Sequence, residues 1–300
     1  MTPYADLDGV RRALEAAGEP FEYGRSVEGR PLLGVEVGSG ERIVAVTAGI
    51  HGIEHIGVRT ALAVLRAPPE GVRLLVLPVL NPDGYARTEA LGGEGPVAVM
   101  RKNARGVDLN RNFPMPWGAR PTRVPFAGTD HPDAATYRGP HPLSEPETAA
   151  LAALMEARRP HASVNLHSFM GTQITARVWH REDWAGYATL ARAFRAGQGT
   201  RWGYPRLATP VGDVFTGELE DWQHHVLGCW ATCIEVFSVV ESARQHLRAP
   251  SSFWRFNPRD PDTIVARDAA GVRAWLRASL DLPPVPLRPG AHAVLAGSAG

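Results

Sequence analysis

The sequence contains 300 residues, of which 44% are hydrophobic, and its formal net charge is +1 because 32 basic residues nearly balance 31 acidic ones. This balance gives no reason to expect a nucleic acid or a membrane surface as a partner. No apolar run approaches the ~18 residues of a membrane span, and the N-terminus, MTPYADLDGVRR, lacks the pattern of a signal peptide, so we expect a cytoplasmic protein.

The first part of the chain combines one helical pattern with several extended ones. Residues 5–17 have the spacing of an amphipathic helix. Two turn signals divide residues 21–46 into short extended runs, which predict a meander whose last strand contains the β-branched run at 43–46. Residues 72–85 predict a second buried strand, which ends in a turn at residues 81–84.

The rest of the chain continues this alternation after a long polar stretch. Residues 86–142 are rich in Gly, Pro and Arg and predict a loop whose length is typical of functional loops. The elements predicted after this loop are a helix over 144–159, a strand over 161–168, helices over 183–197 and 219–227, a strand over 229–237 and a helix over 261–280. Because strands and helices alternate without a linker, we expect a single α/β domain over residues 1–282, followed by a loose tail over residues 283–300.

The first candidate for chemistry is the pair His51 and Glu54, which comes shortly after the β-branched run at 43–46. Ligand crevices in open α/β sheets lie at the carboxyl ends of the strands. Side chains three residues apart on one turn can point in the same direction, and an imidazole and a carboxylate are two members of the His₂Glu set of a catalytic zinc site. Taken alone, however, the HxxE spacing could be an accidental helix start.

His167 and Glu235 each lie near the end of a later predicted strand. His167 could supply a third zinc ligand, which would leave a fourth position open for a water molecule whose pKa falls to roughly 7, or it could be an ordinary buried histidine. Glu235 is a carboxylate in the apolar run CWATCIEVF, and it is either a solvent-facing residue of an edge strand or a general base.

The loop sequence MRKNARGVDLNRNFP contains candidates for substrate binding, namely Arg101, Asn110 and Arg111. Arginine can clamp a carboxylate through two hydrogen bonds and can stabilise an oxyanion. The alternative is that these arginines are solvated, as most arginines in polar loops are.

The two cysteines, Cys229 and Cys233, lie in one predicted strand. Residues four apart in a strand are ~13 Å apart, which is too far for a disulfide. We expect two buried, reduced thiols rather than zinc ligands, and nothing argues for an oxidising compartment.

Eight stretches together resemble the M14 zinc carboxypeptidase family, in the order in which that family carries them. They are YGRSVEGRPL (23–32), AGIHGIE (48–54), LNPDGY (80–85), RKNARGVDLNRNFP (101–114), LSEPET (143–148), NLHS (165–168), DW (221–222) and IEVF (234–237). No single stretch is decisive, but chance does not readily produce eight of them in the correct order.

The resemblance implies a single domain with a mixed, mostly eight-stranded twisted sheet that carries helices on both faces. It implies one zinc ion per chain, held by His51, Glu54 and His167. It also implies a peptide or peptide-like substrate with a free carboxylate, and it gives no indication of the oligomeric state.

The same resemblance implies roles for the remaining candidates. Glu235 would act as the general base and then as the general acid. Arg101 would stabilise the oxyanion and polarise the scissile carbonyl group, and Asn110 and Arg111 would hold the free α-carboxylate of the last residue of the substrate.

Three positions depart from the family pattern. Ile53 stands where an arginine often precedes the glutamate. The position of the tyrosine that often closes over the substrate falls near Asp213, and Tyr204 could take this role if the loop is rearranged. Glu220, just before Asp221, stands where the family often sets side-chain specificity. It either lines the pocket and favours a basic terminal residue, or it is a solvated carboxylate near the positive end of a helix.

The leading interpretation is a zinc-dependent metallocarboxypeptidase that hydrolyses a C-terminal amide bond of peptides. The motifs are also similar to those of bacterial murein-peptide amidases, which cut the γ-D-glutamyl–diaminopimelate bond with the same zinc chemistry. Two further alternatives are a deacylase of N-acyl amino acids, of the desuccinylase or aspartoacylase type, and a binding module without turnover, although no ligand or base is lost here.

Overall fold

The central feature of the computed structural model is a mixed β-sheet that is covered by helices on both faces. The structure describes residues 3–114, 127–200, 203–207, 215–249 and 251–288. Within these ranges the sheet has eight strands, β1 (Phe21–Arg25), β2 (Pro31–Val37), β3 (Ile43–Ala48), β4 (Arg73–Leu77), β5 (Ala162–Ser168), β6 (Thr172–Thr175), β7 (Arg206–Leu207) and β8 (Trp230–Val236). The helices of the same ranges are α1 (Leu7–Glu15), α2 (His55–Leu65), α3 (Pro82–Ala90), α4 (Val97–Arg101), α5 (Pro146–Arg158), α6 (Arg181–Gln198), α7 (Leu219–Leu227), α8 (Val239–Arg248), α9 (Phe253–Phe256) and α10 (Asp262–Ser279), with a short 3₁₀ helix at Leu109–Arg111.

Four parallel strands form the middle of the sheet, whose order is β1-β2-β4-β3-β5-β8-β6-β7. The strands β4, β3, β5 and β8 run parallel, whereas β2 pairs antiparallel with β4 and β6 pairs antiparallel with β8. Every residue of β3 and β5 is buried, as expected for parallel strands that are covered on both faces. The predicted α/β class with a mixed eight-stranded sheet is therefore confirmed in the described part of the chain.

Alternate residues of the central strands face two different helical layers. Val44 and Val46 pack in a core with α1, α2, α6 and α10, whereas Ile43 and Ala45 pack in a core with α5 and α7. Because the four central strands are parallel, their carboxyl ends lie at one edge of the sheet. The segments that follow β4, β3, β5 and β8 meet at this edge, where a ligand crevice is expected.

Two predicted connections differ from the observed ones. The strand β2 lies beside β4 rather than beside β3, so the predicted meander ends after the β1–β2 hairpin and β3 takes a fully buried central position. Residues 82–90 form α3 rather than a turn. Asn81 caps this helix by accepting a hydrogen bond from Gly84 N, and Pro82 suits the first helical turn because no intrahelical bond is lost there.

The short elements and the end of the chain also differ from the predictions. The predicted loop over residues 86–142 contains the end of α3 and all of α4, and the elements β6, β7, α8 and α9 were not predicted. Residues 283–288 pack on the domain rather than forming a loose tail. Pro283 O accepts a hydrogen bond of 2.9 Å from Trp230 Nε1, Val285 is buried, and Arg288 pairs with Asp183. Tail residues 289–300 lie outside the described residues, and none of the described helices is long and apolar enough to cross a membrane.

Candidate metal centre

The three predicted zinc ligands meet at the carboxyl edge of β3 and β5. His51 lies in the loop after β3, Glu54 immediately precedes α2, and His167 is the penultimate residue of β5. His51 Nδ1 lies 2.8 Å from Glu54 Oε1 and 3.2 Å from His167 Nδ1, and His167 Nδ1 lies 3.2 Å from Glu54 Oε2. Each of the three residues is 2% exposed, so a buried group of nitrogen and oxygen donors faces a common point.

Close backbone packing shapes the loop that carries His51. A Cβ atom on Gly52 would lie 2.1 Å from the carbonyl carbon of Gly84, so only glycine fits between this loop and α3. Asn81 Nδ2 donates to the loop backbone at 3.3 Å and to the carbonyl oxygen of Arg101, at the end of α4, at 3.2 Å. The stretch LNPDGY therefore holds the ligand loop and α4 together.

Asp108 supports His51 from the side opposite the donor group. Asp108 Oδ1 lies 3.1 Å from His51 Nε2, and Asp108 Oδ2 accepts a hydrogen bond of 2.9 Å from Arg101 Nε. A terminal nitrogen of Arg101 forms an ion pair with the same oxygen at 2.9 Å. This carboxylate holds the His51 proton on Nε2, which leaves Nδ1 as the donor atom for a metal. Burial raises the pKa of Asp108, but Arg101 and His51 lower it by more, so it lies well below its usual value.

Two supporting residues were not predicted from the sequence. Asp108 lies within the stretch RKNARGVDLNRNFP. It could have been predicted because a metal-binding histidine needs a hydrogen-bond acceptor at its second ring nitrogen. Asn257 holds the backbone on both sides of Glu54 through two hydrogen bonds of 2.8 Å. Nothing in the sequence around Asn257 indicates this contact.

The donor set fits a zinc ion in type and in spacing. Burial raises the pKa of Glu54, but His51 and His167 lower it by more, so the carboxylate is ionised. Burial lowers the pKa of His167, which favours the neutral, metal-binding imidazole. Two nitrogens bound to one tetrahedral zinc ion lie roughly 3.3 Å apart, and the two Nδ1 atoms here are separated by 3.2 Å.

Glu235 lies beside the donor group on the neighbouring strand β8. It stands opposite His167 in the β5–β8 register, and donor atoms of Glu235, His167 and Cys233 lie within 4.8 Å of one another. Burial and the charge of Glu54 together raise the pKa of Glu235 to about 7, although His51 and Arg101 lower it. The strand β8 lies between β5 and β6, so the alternative of a solvent-facing residue on an edge strand is wrong.

The predicted substrate-binding residues Arg101, Asn110 and Arg111 lie at the end of α4 and in the segment that follows it. A terminal nitrogen of Arg101 lies 3.9 Å from Glu54 Oε1. Asn110 Oδ1 accepts a hydrogen bond of 3.0 Å from the first backbone N–H of α7. Arg111 is buried, donates to Asn110 O at 2.6 Å, and lies 3.3 Å from Glu218 Oε1. The alternative of solvated loop arginines is therefore wrong for Arg111.

Glu220 is only 1% exposed at the start of α7, so the alternative of a solvated carboxylate is wrong. Burial raises the pKa of Cys233, and Glu220 and Glu235 raise it further, so these two carboxylates lie close to the same part of β8. Both Cys229 and Cys233 are buried and free of disulfides.

The structure does not bring Tyr204 to the donor group as a substrate-closing residue. Tyr204 is 3% exposed, and its hydroxyl donates a hydrogen bond of 2.7 Å to Asp268 in α10. The alternative position for this role, Asp213, lies outside the described residues. Ile53 is fully buried in the core beneath α2 and contributes no polar group to the site.

The sequence matches the model of the zinc carboxypeptidase family over residues 4–241. It is 31% identical over 243 residues to murein peptide amidase A of Escherichia coli (strain K12), covering 79% of this chain and 90% of that protein. It is 32% identical over 170 residues to carboxypeptidase A6 of Homo sapiens, covering 50% of this chain and 38% of that protein.

Solved structures of related proteins share the fold. Bovine thrombin-activatable fibrinolysis inhibitor, in complex with tick carboxypeptidase inhibitor, superimposes with a TM-score of 0.76 at 18% identity, over 93% of this chain and 98% of that one. A murein-tripeptide amidase from Escherichia coli O157 gives a TM-score of 0.51 at 26% identity, over 87% and 100% of the two chains. Because the family match spans most of the sequence, the chain belongs to the zinc carboxypeptidase family, the M14 peptidases, and is a hydrolytic metallopeptidase.

Proposed function

We propose that the protein cleaves the amide bond before a terminal residue that has a free α-carboxylate. The observation that carries this proposal is the grouping of a buried His₂Glu donor set with a separate, half-buried carboxylate, Glu235, at one edge of the sheet. Arg101 beside the donor set and Arg111 in the same segment of the chain supply positive charge for an oxyanion and for a substrate carboxylate.

One zinc ion held by His51, Glu54 and His167 would supply Lewis-acid activation of a water molecule and of the scissile carbonyl group. Glu235 is suited to accept a proton from the attacking water, because burial and the charge of Glu54 raise its pKa to about 7 and an efficient general base titrates near the working pH. Glu235 Oε2 is buried and forms no hydrogen bond with the other described residues. This oxygen can therefore receive the proton and pass it to the leaving nitrogen.

The orientation of Arg101 supports its role as the oxyanion stabiliser. Asp108 engages Nε and one terminal nitrogen, and this directs the other terminal nitrogen towards Glu54, 3.9 Å away. The side-chain oxygen of Asn110, Oδ1, accepts a hydrogen bond from the start of α7. The side-chain nitrogen, Nδ2, is therefore the atom that can donate to a substrate carboxylate together with Arg111.

Glu220 supports a substrate with a positive side chain, because a buried carboxylate gains most from a cationic partner. Peptides that end in Lys or Arg carry such a cation, and a carboxypeptidase for them is the leading candidate. The second candidate is the cleavage of murein peptides, in which diaminopimelate carries a side-chain amino group. The similarity to murein peptide amidase A favours this second candidate.

One incubation with a mixed pool separates these candidates. The pool contains short peptides with every C-terminal residue, γ-D-glutamyl-diaminopimelate peptides and N-acyl amino acids, and mass spectrometry identifies the products beside a chelator-treated sample. Chelator-sensitive release of Lys and Arg would support the carboxypeptidase, and cleavage of only the γ-D-glutamyl bond would support the amidase. Cleavage of only N-acyl amino acids would instead select a deacylase, and no cleavage at all would contradict the proposed function.

Glu235→Gln tests the general base. The amide has nearly the same shape but cannot accept a proton, so kcat should fall on the order of 10²- to 10⁴-fold, while the zinc content stays that of the wild type. Steady-state kinetics and metal analysis of the same preparation measure both quantities. Wild-type turnover in this variant would remove Glu235 from the mechanism.

Glu220→Gln tests the recognition of the cation. A hydrogen bond to a charged group contributes about 1.5–3 kcal/mol, so kcat/KM for a cationic terminal residue should fall on the order of 10- to 100-fold, while neutral terminal residues should be unaffected. Glu147→Gln is the matched control, because Glu147 is about as buried as Glu220 but lies in a different helix, α5. An equal loss for cationic and neutral residues would return Glu220 to a structural role.

A further inference from the structure

The hydroxyl of Tyr204 lies in a buried hydrogen-bond network next to the end of β8. It donates to Asp268 Oδ2 at 2.7 Å and accepts from Phe237 N at 3.0 Å and from a terminal nitrogen of Arg267 at 2.5 Å. A hydroxyl has one hydrogen and two lone pairs, so this group uses its full hydrogen-bonding capacity. The guanidinium of Arg267 also lies over the Tyr204 ring, 5.1 Å from its centre.

The partners of Tyr204 are themselves held by further contacts. Asp268 Oδ1 accepts hydrogen bonds from Gln198 Nε2 at 2.8 Å and from Arg267 Nε at 2.7 Å, and Arg267 also pairs with Glu241. The network thus joins α6, α8 and α10, and buried polar networks whose groups are satisfied make a structure rigid. Burial raises the pKa of Tyr204 well above 10, and Asp268 raises it further although Arg267 lowers it, so the hydroxyl keeps its proton.

Phe237 is the residue at which this network reaches the end of β8. The ladder between β5 and β8 ends at Val236, and Phe237 then adopts a left-handed backbone conformation with a φ of 65°, which residues with a Cβ rarely adopt. Its N–H donates to the Tyr204 hydroxyl rather than to a neighbouring strand. This hydrogen bond therefore fixes the turn that begins two residues after Glu235.

A second set of contacts leads from Tyr204 to Glu235 through the loop after β5. This loop leads into β6, where Thr172 stands opposite Glu235 in the register between β6 and β8. The preceding residue, Gly171, packs so closely that a Cβ atom there would lie 2.1 Å from Ser238 Cβ and 3.3 Å from Tyr204 Cε1. The backbone that follows Glu235 and the backbone that leads into the partner strand β6 are thus both in contact with Tyr204 or with its immediate neighbours.

We propose that Tyr204 is a positioning residue for Glu235, because its hydroxyl holds the Phe237 turn and with it the orientation of the general base. This inference rests on the role that is proposed for Glu235 above. It gives Tyr204 a task in the interior of the protein, in place of the substrate contact that the sequence suggested. Without the hydroxyl, the Phe237 N–H and the Asp268 carboxylate would each lose a partner, and Glu235 could move relative to the donor set.

Tyr204→Phe removes only this hydroxyl, and Tyr187→Phe is the matched control. The Tyr187 hydroxyl is also buried and also accepts from the backbone of β8, but at Ala231 N (3.1 Å), at the end of the strand remote from Glu235. We expect Tyr204→Phe to lower kcat about 10- to 100-fold, as small misplacements of catalytic groups do, with unchanged KM and zinc content. The Phe237 amide should exchange its hydrogen faster, as measured by NMR. Tyr187→Phe should lose stability but retain the wild-type kcat and the wild-type exchange of that amide.

Several results would overturn the inference. Tyr204→Phe could retain the wild-type kcat, or Tyr187→Phe could lose as much kcat, and either result would make the hydroxyl merely structural. Unchanged exchange of the Phe237 amide in Tyr204→Phe would contradict the inference without any activity measurement. The activities of Glu235→Gln and of the wild type are measured alongside. Full activity of Glu235→Gln, or no cleavage by the wild type, would overturn the proposed function and with it the catalytic part of this inference. The exchange rates would still decide whether Tyr204 holds the turn.

Discussion

At the scale of single residues, Asp108 joins three parts of the site. One oxygen lies beside His51 Nε2 and accepts from Asn110 N at 3.1 Å, and the other accepts from Arg101. One carboxylate therefore sets the tautomer of a ligand, the direction of the guanidinium and the start of the 3₁₀ helix that contains Asn110 and Arg111. A change at Asp108 should affect metal binding before it affects the rest of the fold.

Asp108→Asn should weaken zinc binding about 10- to 100-fold, which is the usual effect of losing an outer-shell partner of a ligating histidine. The neutral amide is a poorer acceptor for the His51 Nε2 proton, and competition with a chelator of known affinity measures the change. Asp83→Asn is the control, because Asp83 is equally buried but bonds to Ser26 and Arg30. Wild-type zinc affinity in Asp108→Asn would contradict this account.

The residues that the sequence singled out are those whose spacing and order form motifs. His51, Glu54, His167 and Glu235 each end or follow an apolar run, and the structure brings them to one edge of the sheet. A supporting residue has no such signature, because its identity depends on partners far away along the chain. Tyr204 illustrates this difference, since a phenol that could contact a substrate and one that binds a buried carboxylate look the same in the sequence.

At the scale of elements, the start of α2 is capped by a residue from a distant part of the chain. The first N–H groups of a helix lack partners within the helix, and Glu54 makes no cap bond because its carboxylate faces the two histidines. Asn257 provides the cap instead. Its Oδ1 accepts from Ile56 N and its Nδ2 donates to Ile53 O, both at 2.8 Å. Glu54, the residue at the N-cap position of α2, is therefore available for the donor set.

Asn257→Ala should lower the free energy of unfolding by roughly 1–3 kcal/mol for each backbone group that it leaves unsatisfied, and it should also weaken zinc binding. Asn257→Asp keeps the acceptor for Ile56 N but places a buried carboxylate beside the carbonyl oxygens of Ile53 and Phe253, so its loss should be at least as large. Urea denaturation of the metal-free and the zinc-loaded protein measures both effects. An alanine variant as stable as the wild type would show that Asn257 does not cap α2.

Elements with a long periodic or apolar pattern were predictable from the sequence, and α5, α6, α7, α10, β3, β5 and β8 all lie where the pattern places them. The strands β6 and β7, with four and two residues, are too short for a period to be read. Their positions depend on the partner strand, as does the place of β2 beside β4, because alternation along a strand does not identify its neighbour.

At the scale of the whole molecule, the segment after α10 closes over α6 and β8. Trp230 donates to Pro283 O, and Arg288 pairs with Asp183, whose side chain is 3% exposed. Burial raises the pKa of Asp183, but His224 and Arg288 lower it to about 2. The folded pKa therefore lies below the unfolded value of ~3.9. This carboxylate contributes its full stabilisation above about pH 4 and loses it as the pH falls towards 2.

Arg288→Ala should therefore be less stable than the wild type near neutral pH, and the difference should shrink as the pH falls from about 4 towards 2, because both proteins then carry a protonated Asp183. Denaturant titrations of the metal-free protein over a series of pH values measure this difference. Arg12→Ala, which removes an ion pair between two largely exposed side chains, should have little effect at any pH. A difference for Arg288→Ala that stays constant down to pH 2 would contradict the assignment.

The distance along the chain between Asn257 and α2 has a consequence for protein synthesis. All three donor side chains exist once residue 167 has been translated. The backbone around Glu54, however, is held by Asn257, which lies 201 residues after Ile56 and 204 residues after Ile53. Tyr204 is likewise held by Asp268, which lies 64 residues later in the chain. Contacts of this kind form late, because the intervening chain must first be made and closed into a loop. We therefore expect the nascent chain to acquire tight zinc binding and hydrolytic competence in one late step. Ribosome-stalled chains that end before and after α10 would reveal this step as an abrupt gain in retained zinc.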